Sequence, residues 1–302
     1  MRALLVFNPN ATTTDDRVRD VIASALGSAV DLDLQPTKQR GHATLLAAGA
    51  VHEGLDTVFA FGGDGTANEV IQALAGTDVR LGIIPGGGAN VLARNLGLPN
   101  DAVHATSLLL DAVRHDRTRR ISLGLAGERY FGFNAGYGFD AAVIRRVEQH
   151  ATAKRVLRQG AFVWSVAHEW AVGAGRDAGS ITLTLPDGSS LGPVAISIIA
   201  NCDPYTYLGT RPMRVHPWAS FDLGLDLVTV DRPSTPRLLT VLAGTFRDGR
   251  HVGRKGVRYH HDLAAFTLSS PTPLPLMVDG DYAGEHHAVA FTSVPEALRV
   301  LV

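Results

Sequence analysis

TVFAFGGDGTANEV, residues 57–70, sets a short β-prone run against three glycines, an aspartate and a threonine, and then opens a segment of helical period. A strand that ends in a glycine-rich turn and resumes as a helix is the repeating unit of open, mostly parallel α/β sheets. The alternation extends on both sides of this stretch. Apolar runs at residues 3–7, 30–34, 57–61 and 81–84 are separated by helical segments at 15–26, 42–52 and 67–74, with further helices at 89–96 and 101–114. Ligands in such sheets bind beyond the carboxyl ends of the strands. Those ends are Asn8-Pro9-Asn10, residues 37–41, residues 62–66 and residues 85–88.

Gly62, Gly63 and Gly65 permit φ > 0 and let backbone N–H groups approach an anion without a Cβ in the way. The helix expected from Ala67 onward adds the partial positive charge of its N-terminus. Thr66 and Glu69 have capping-box spacing, which by itself gives both a structural role. Asp64 is harder to place. A carboxylate beside phosphate repels it unless a divalent cation lies between them, as magnesium does at nucleotide-phosphate sites. The stretch therefore reads either as an ordinary turn or as a site for magnesium-bound nucleotide. The Walker pattern is absent, and GYGFDA at residues 136–141, although it has G-x-G-x-x-A spacing, lies outside the α/β alternation and reads as a turn.

From about residue 121 the pattern changes. Apolar runs at 181–185, 194–200, 225–230, 264–268, 274–278 and 288–291 are divided by turn signals such as Pro186-Asp187-Gly188, the form of an antiparallel sheet or sandwich. Helical interruptions are expected at 141–172 and 236–246. The expectation is an α/β domain over residues 1–121 and a β-rich domain over 122–302. Of the 302 residues 45% are hydrophobic and 19% charged, and the net charge is -1, which excludes a disordered or generally nucleic-acid-binding protein. Cys202 is the single cysteine, so there is neither an internal disulfide nor a multi-cysteine zinc site, and a reducing compartment fits. The opening MRALLVFNPN reads as a strand, too short for a secretory segment, and no apolar run approaches the roughly 18 residues of a membrane span. The pairs His260-His261 and His286-His287 fall in strand-like segments, where neighbours point to opposite faces and do not share a metal.

GGDGTANEV, followed by LGIIPGGGANVLARNLGLP at residues 81–99, resembles the diacylglycerol kinase catalytic-domain family, which includes sphingosine and ceramide kinases. NPN at 8–10, PTKQRGHA at 36–43, FNAGYGFDA at 133–141 and VDGDYAG at 278–284 extend the resemblance over nearly the whole chain, which looks like the soluble actinobacterial diacylglycerol kinases. The family implies an NAD kinase-like α/β domain, a β-sandwich domain, a nucleotide cleft between them and last residues that return to the first domain. By resemblance, Asn8, Pro9, Asn10 and Thr37 contact ATP, and Gly62, Gly63, Asp64, Gly65 and Thr66 surround its phosphates. Asp64 acts there through nucleotide-bound Mg²⁺, Gly88 offers a backbone N–H, and Asn90 shapes the cleft. Gly87-Gly88-Ala89-Asn90-Val91 departs from a common Gly-Thr-x-Asn-Asp run, so a hydroxyl and a carboxylate are missing. Where relatives carry Asp-Asp-Gly at a structural magnesium site, only Asp222 remains.

The resemblance makes Asp279 the general base and Asp281 an orienting carboxylate. Without it, Asp279-Gly280-Asp281 reads as a hairpin turn. Phosphoryl transfer to an alcohol passes through a loose transition state, so the hydroxyl proton can leave late and a carboxylate suffices as its acceptor. Residues 144–159, with five basic side chains against one acidic, are followed by Phe162, Trp164 and Trp170; a second basic cluster is Arg247, Arg250, Arg254, Lys255 and Arg258. Each reads either as a solvated charged face or as a dock for anionic lipid. The expected protein is an ATP- and Mg²⁺-dependent kinase converting diacylglycerol to phosphatidic acid, cytoplasmic and peripheral on the inner face of the cell membrane. A sphingoid base or a soluble acceptor such as NAD stays open as the substrate. So does a non-catalytic nucleotide- or lipid-binding regulator, and so does self-association.

Overall fold

The computed structural model describes residues 1–11, 15–138, 180–231 and 235–302. The helix expected at 141–172 and the basic run at 144–159 lie outside them. The chain divides into Met1–Leu123 with Pro295–Val302, and Gly124–Val294.

In the first unit, β1 (Arg2–Phe7), α1 (Asp16–Gly27), β2 (Asp31–Pro36), α2 (His42–His52), β3 (Thr57–Gly62), α3 (Asp64–Leu74) and β4 (Arg80–Pro85) alternate, followed by α4 (Val91–Asn95) and α5 (Ala102–Arg114). The strands are parallel in the order β2-β1-β3-β4. Beyond β4 the final residues add a short parallel pairing, Arg299 with Arg80 and Val300 with Leu81. β3 is buried along its whole length, which is why its sequence is continuously apolar, whereas β2 at the edge is largely exposed. Phe59 lies against Gly82 of the neighbouring strand, where a Cβ would come within 2.5 Å of its ring. The chain steps from β1 to β2 in one direction and then across to β3 in the other. Such a reversal opens a crevice at the carboxyl ends of β1 and β3, and the loops after these strands border it.

The second unit is a β-sandwich. Its strands are the end of β5 (Thr118–Ala126), β6 (Arg129–Phe131), β7 (Asn134–Gly138), β8 (Ile181–Thr184), β9 (Ser190–Val194), β10 (Ile196–Ala200), β13 (Leu225–Val230), β14 (Val257–Leu263), β15 (Ala265–Val278) and most of β16 (Asp281–Leu301). A small ribbon, β11 (Thr206–Leu208) with β12 (Arg211–Met213), stands apart. Phe131, Tyr137, Leu183, Leu227, Phe266, Leu276 and Phe291 fill the principal core. A second cluster, including Tyr205, Val215, Val228 and Val257, packs with Val241 of α6 (Thr235–Thr245), so the helix covers the outer side of β10, β13 and β14.

Two expectations are corrected here. The runs at 264–268 and 274–278 belong to one strand of 14 residues, β15. Its pairing shifts between Ser269 and Leu274: the first part pairs with β8 and the second with β7. Pro271 and Pro273 remove ladder donors but keep an extended φ, so the sequence looks like a break where the backbone runs on. GYGFDA is not a turn at its start. Its first three residues belong to β7, an interior strand between β10 and β15, while residues 139–141 lie outside the described residues.

Candidate functional site

The first unit gathers its candidate residues at the carboxyl ends of the parallel strands. α3 starts at Asp64, three residues before the expected Ala67, with Gly63 as N-cap at φ -85° and ψ -176°. None of Gly62, Gly63 and Gly65 has a positive φ, so the expected left-handed backbone is not what places glycine there. At Gly62, and at Gly87 in the facing loop, the reason is close approach. A Cβ on Gly62 would lie 2.5 Å from Thr66 Oγ1, and one on Gly87 would lie 2.7 Å from Gly63 Cα. The Gly86 N–H donates to Gly62 O at 2.7 Å, fastening the β4 loop to the end of β3.

Asn90 holds the same loop from the other side. It sits at φ 47° and ψ 50°, a left-handed conformation that asparagine tolerates better than most residues. Its Oδ1 accepts the Gly87 N–H at 2.9 Å, and its Nδ2 donates to Gly87 O at 2.8 Å and to Asn100 Oδ1 at 2.6 Å. Gly88 at the loop tip is exposed, with nothing within 4 Å of a Cβ position. The Asp64 carboxylate turns toward the start of α4, where Oδ1 accepts the Leu92 N–H at 3.1 Å. Burial pushes this carboxyl above the ordinary aspartate range, opposed by the backbone N–H groups of Val91, Leu92 and Asn90.

Asn8 joins the group through its N–H, donated to Phe61 O at 3.0 Å, and its Oδ1 accepts the Asn10 N–H at 2.9 Å in an Asx turn. Pro9 and Asn10 are exposed. Thr37 follows β2 and donates its N–H to Phe7 O at 2.8 Å. Glu69 does not form the capping box that its spacing from Thr66 suggests, because the N-cap of α3 is Gly63. Its carboxylate accepts the N–H groups of Gly41 at 2.8 Å and Ala43 at 3.0 Å, tying α3 to the start of α2 and to the loop that carries Thr37. The sequence held a signal for this: α2 begins after Gly41, which makes no side-chain cap, so its first N–H groups need an acceptor from elsewhere.

The crossing of Gly63 and Gly87 is testable. Gly87→Ala places a methyl where backbone stands at 2.7 Å, and overpacking against backbone costs about 1–3 kcal/mol. The expected result is a thermal midpoint lowered by several degrees. Gly88→Ala, which meets nothing, should change the midpoint little. Differential scanning calorimetry reads both, and equal midpoints would show that the close approach is not tight.

In the second unit, Asp279 and Gly280 form the two-residue turn between β15 and β16, with φ of 48° and 81°. Positive φ at both central positions is the type I′ hairpin geometry that Asp-Gly favours. The Asp279 side chain is 4% exposed and turned inward. Oδ2 accepts the Gly132 N–H at 2.7 Å, while Oδ1 accepts those of Phe133 at 3.0 Å and Asn134 at 3.1 Å. The Asp279 N–H donates to Asn134 O at 2.8 Å. The hairpin is thereby pinned to the segment entering β7, and the carboxylate has a fixed orientation. Asn201 supports that segment by donating Nδ2–H to Gly132 O at 3.0 Å. Asp281 pairs with Arg129 at 3.2 Å across the neighbouring hairpin.

Asp222 is exposed, and its N–H donates to Ser220 Oγ at 3.3 Å. The buried carboxylate nearby in sequence is Asp226, which takes the Tyr259 hydroxyl, His261 Nδ1 at 2.8 Å and the Asp262 N–H at 2.9 Å. Among the described residues no three histidine, cysteine, aspartate or glutamate side chains gather as a metal site.

A model of the diacylglycerol kinase catalytic domain matches residues 2–126, and one of the YegS C-terminal NAD kinase beta sandwich-like domain matches residues 134–302. The diacylglycerol kinases of Staphylococcus aureus strains bovine RF122 / ET3-1 and MRSA252 are each 28% identical over 295 residues, covering 94% of this chain and 87% of theirs. A crystal structure of a diacylglycerol kinase from Bacillus anthracis str. Sterne is similar with a TM-score of 0.77 at 19% identity, over 99% of this chain and 96% of that one. An NAD kinase from Archaeoglobus fulgidus, solved in complex with ATP, is similar with a TM-score of 0.55 at 14% identity, over 100% of this chain and 94% of that one. At these identities the two structures establish a shared fold.

Proposed function

The chain belongs to the diacylglycerol kinase catalytic-domain family, a family of phosphotransferases, and we propose that it transfers the γ-phosphate of ATP to the free hydroxyl of diacylglycerol, giving phosphatidic acid. The observation that carries this reading is Asp279, a carboxylate that three backbone amides hold in one orientation within a segment matching the family. A fixed carboxylate is what a proton acceptor needs, because general-base catalysis depends first on reach and angle.

In this reading the first unit holds the nucleotide. The loop of Gly62 to Thr66 and the exposed backbone at Gly88 offer N–H groups to phosphate, and Asn8 and Thr37 border the rest of ATP. Asp64 is the one acidic side chain at that turn, and burial disfavours its anion. That donor set fits Mg²⁺ in its usual kinase mode, with one protein carboxylate and the remaining ligands from phosphate and water. Asp64 would hold Mg²⁺ there, and the ion would supply charge neutralisation of the phosphate oxygens when nucleotide is bound. Asp279 accepts the hydroxyl proton as the acceptor oxygen bonds to the γ-phosphorus and the bond to the ADP oxygen breaks. Asp281, paired with Arg129, orients the turn. Docking at the inner face of the cell membrane follows from such a substrate, and no helix among the described residues is long and apolar enough to cross a membrane.

Transfer of labelled phosphate from ATP to diacylglycerol, sphingosine, ceramide and NAD, each offered alone in neutral detergent, tests the acceptor. Labelled phosphatidic acid is the expected product. Labelled NADP with no labelled lipid would replace this reading with that of a soluble-acceptor kinase.

A further inference from the structure

α6 has one face committed to the second unit and another open to solvent. Inward, Val241 joins the outer apolar cluster, and Gly244 lies so close to His251 that a Cβ would come within 2.6 Å. Outward, Leu239 is 60% exposed, Leu242 40% and Phe246 37%. Their spacing of three and then four residues places them in one stripe. Immediately after the helix, Arg247, Arg250, Arg254 and Lys255 are exposed, and among the described residues none of them forms an ion pair. Three of these cations line a cleft of about 330 Å³ together with Leu239, Ala243 and Gly244.

The loop bearing the arginines is braced. Gly249, at φ 77°, packs under Pro217, and His251 Nε2 hydrogen-bonds to Val215 O at 2.9 Å. The Arg254 Nε donates to Arg250 O at 3.3 Å. A held cluster of guanidinium groups beside a stripe of large apolar side chains combines the two attractions that stable peripheral binding needs. Charge selects the occupant. A second copy meeting this face isologously would set one arginine cluster against another, whereas an anionic bilayer presents the opposite sign together with an apolar layer.

We propose that α6, with Arg247, Arg250, Arg254 and Lys255, docks the second unit on an anionic phospholipid bilayer. Leu239, Leu242 and Phe246 enter the headgroup boundary, and the arginine-lined cleft receives a lipid phosphate. The proposal deepens the lipid-kinase reading and rests on it for the identity of the surface, but vesicle binding is measured without ATP or diacylglycerol and stands or falls by itself.

The full chain is sedimented with vesicles of phosphatidylcholine alone and of phosphatidylcholine mixed equally with phosphatidylglycerol. Binding to the mixed vesicles should be at least about tenfold tighter and should weaken with salt. Arg247→Gln, Arg250→Gln and Arg254→Gln together should lower it about 100-fold, roughly fivefold for each cation removed. Leu239→Ser with Leu242→Ser should weaken binding by about tenfold or more while leaving the preference for anionic lipid. Unchanged thermal midpoints establish that the variants are folded; should the triple variant fail to fold, Lys255→Gln and the salt series carry the same comparison. Equal binding to both kinds of vesicle, or wild-type binding by the triple variant, overturns the proposal. So does release of vesicles by millimolar inorganic phosphate, which would mark the cleft as a site for a free anion. A wild-type dimer that Leu239→Ser with Leu242→Ser converts to monomer in sedimentation velocity would assign the face to self-association and also overturn it. Phosphorylation of short-chain diacylglycerol in neutral detergent should be equal in the wild type and the triple variant. Its absence in both would remove the lipid-kinase reading and leave the docking result standing.

Discussion

Asp279→Asn is expected to lower kcat for lipid phosphorylation by a factor of about 100 to 10,000, the range in which a positioned general base contributes. Asparagine tolerates the left-handed φ of 48° at this position, so the turn itself meets no new backbone strain. The side chain is another matter. One amide oxygen can keep the Phe133 and Asn134 donors, but the amide nitrogen then faces the Gly132 N–H, donor against donor. A buried N–H left without an acceptor costs about 1–3 kcal/mol, so a lower thermal midpoint should accompany the loss of rate. The two effects separate in the kinetics. Loss of the proton acceptor reduces kcat at unchanged KM, whereas displacement of the hairpin raises KM for the lipid. A variant that unfolds earlier but turns over at the wild-type rate would make Asp279 a structural pin and leave the reaction without its proposed base.

The second large effect is expected at Asp64, where two substitutions divide charge from shape. Asp64→Asn keeps an oxygen for the Leu92 N–H and removes a carboxylate whose anion burial already disfavours, so stability should hold or rise slightly. Turnover should nonetheless fall by about 100-fold or more, the cost typical of removing one electrostatic contact to a transferring group. The apparent requirement for Mg²⁺ should rise as well. Asp64→Ala also leaves backbone donors at the start of α4 without their acceptor, so a stability loss of about 1–3 kcal/mol joins the loss of rate. Steady-state rates over a magnesium series, with thermal midpoints for both variants, read the difference. Wild-type kcat and magnesium dependence in Asp64→Asn would reduce this carboxylate to a brace for α4.

What the sequence disclosed follows from the kind of signal each element emits. β1, β3 and β4 lie between neighbours in the sheet and are buried almost throughout, so they show as unbroken apolar runs with helical periods between them. The motif residues at their carboxyl ends were legible for the same reason, because strand ends fix where loops must be. Packing that depends on distant partners was not legible. Glu69 has the right spacing for a local cap, yet the open start of α2 competes for its carboxylate and takes it. Gly62 and Gly87 look like turn glycines, but Gly62 is small because the Thr66 side chain folds back against it and Gly87 because the backbone of Gly63 crosses it. β7 is glycine-rich and passes for a turn until β10 and β15 supply its hydrogen bonds from both sides. Asp279-Gly280 is the instructive middle case: local preference correctly marks a hairpin, and only the tertiary fold brings Gly132, Phe133 and Asn134 to its carboxylate.

Pro295–Val302 belongs with Met1–Leu123, separated from it in the chain by all of Gly124–Val294. On the ribosome, the nascent first unit therefore waits for its final strand. At roughly 5–20 residues per second the interval is about ten to thirty seconds. Until Leu298, Val300 and Leu301 arrive, part of the β4 margin offers backbone groups and apolar side chains to any passing strand. Premature termination just short of these residues should yield a polypeptide that chaperones retain and proteases clear, even though every motif residue has already been translated.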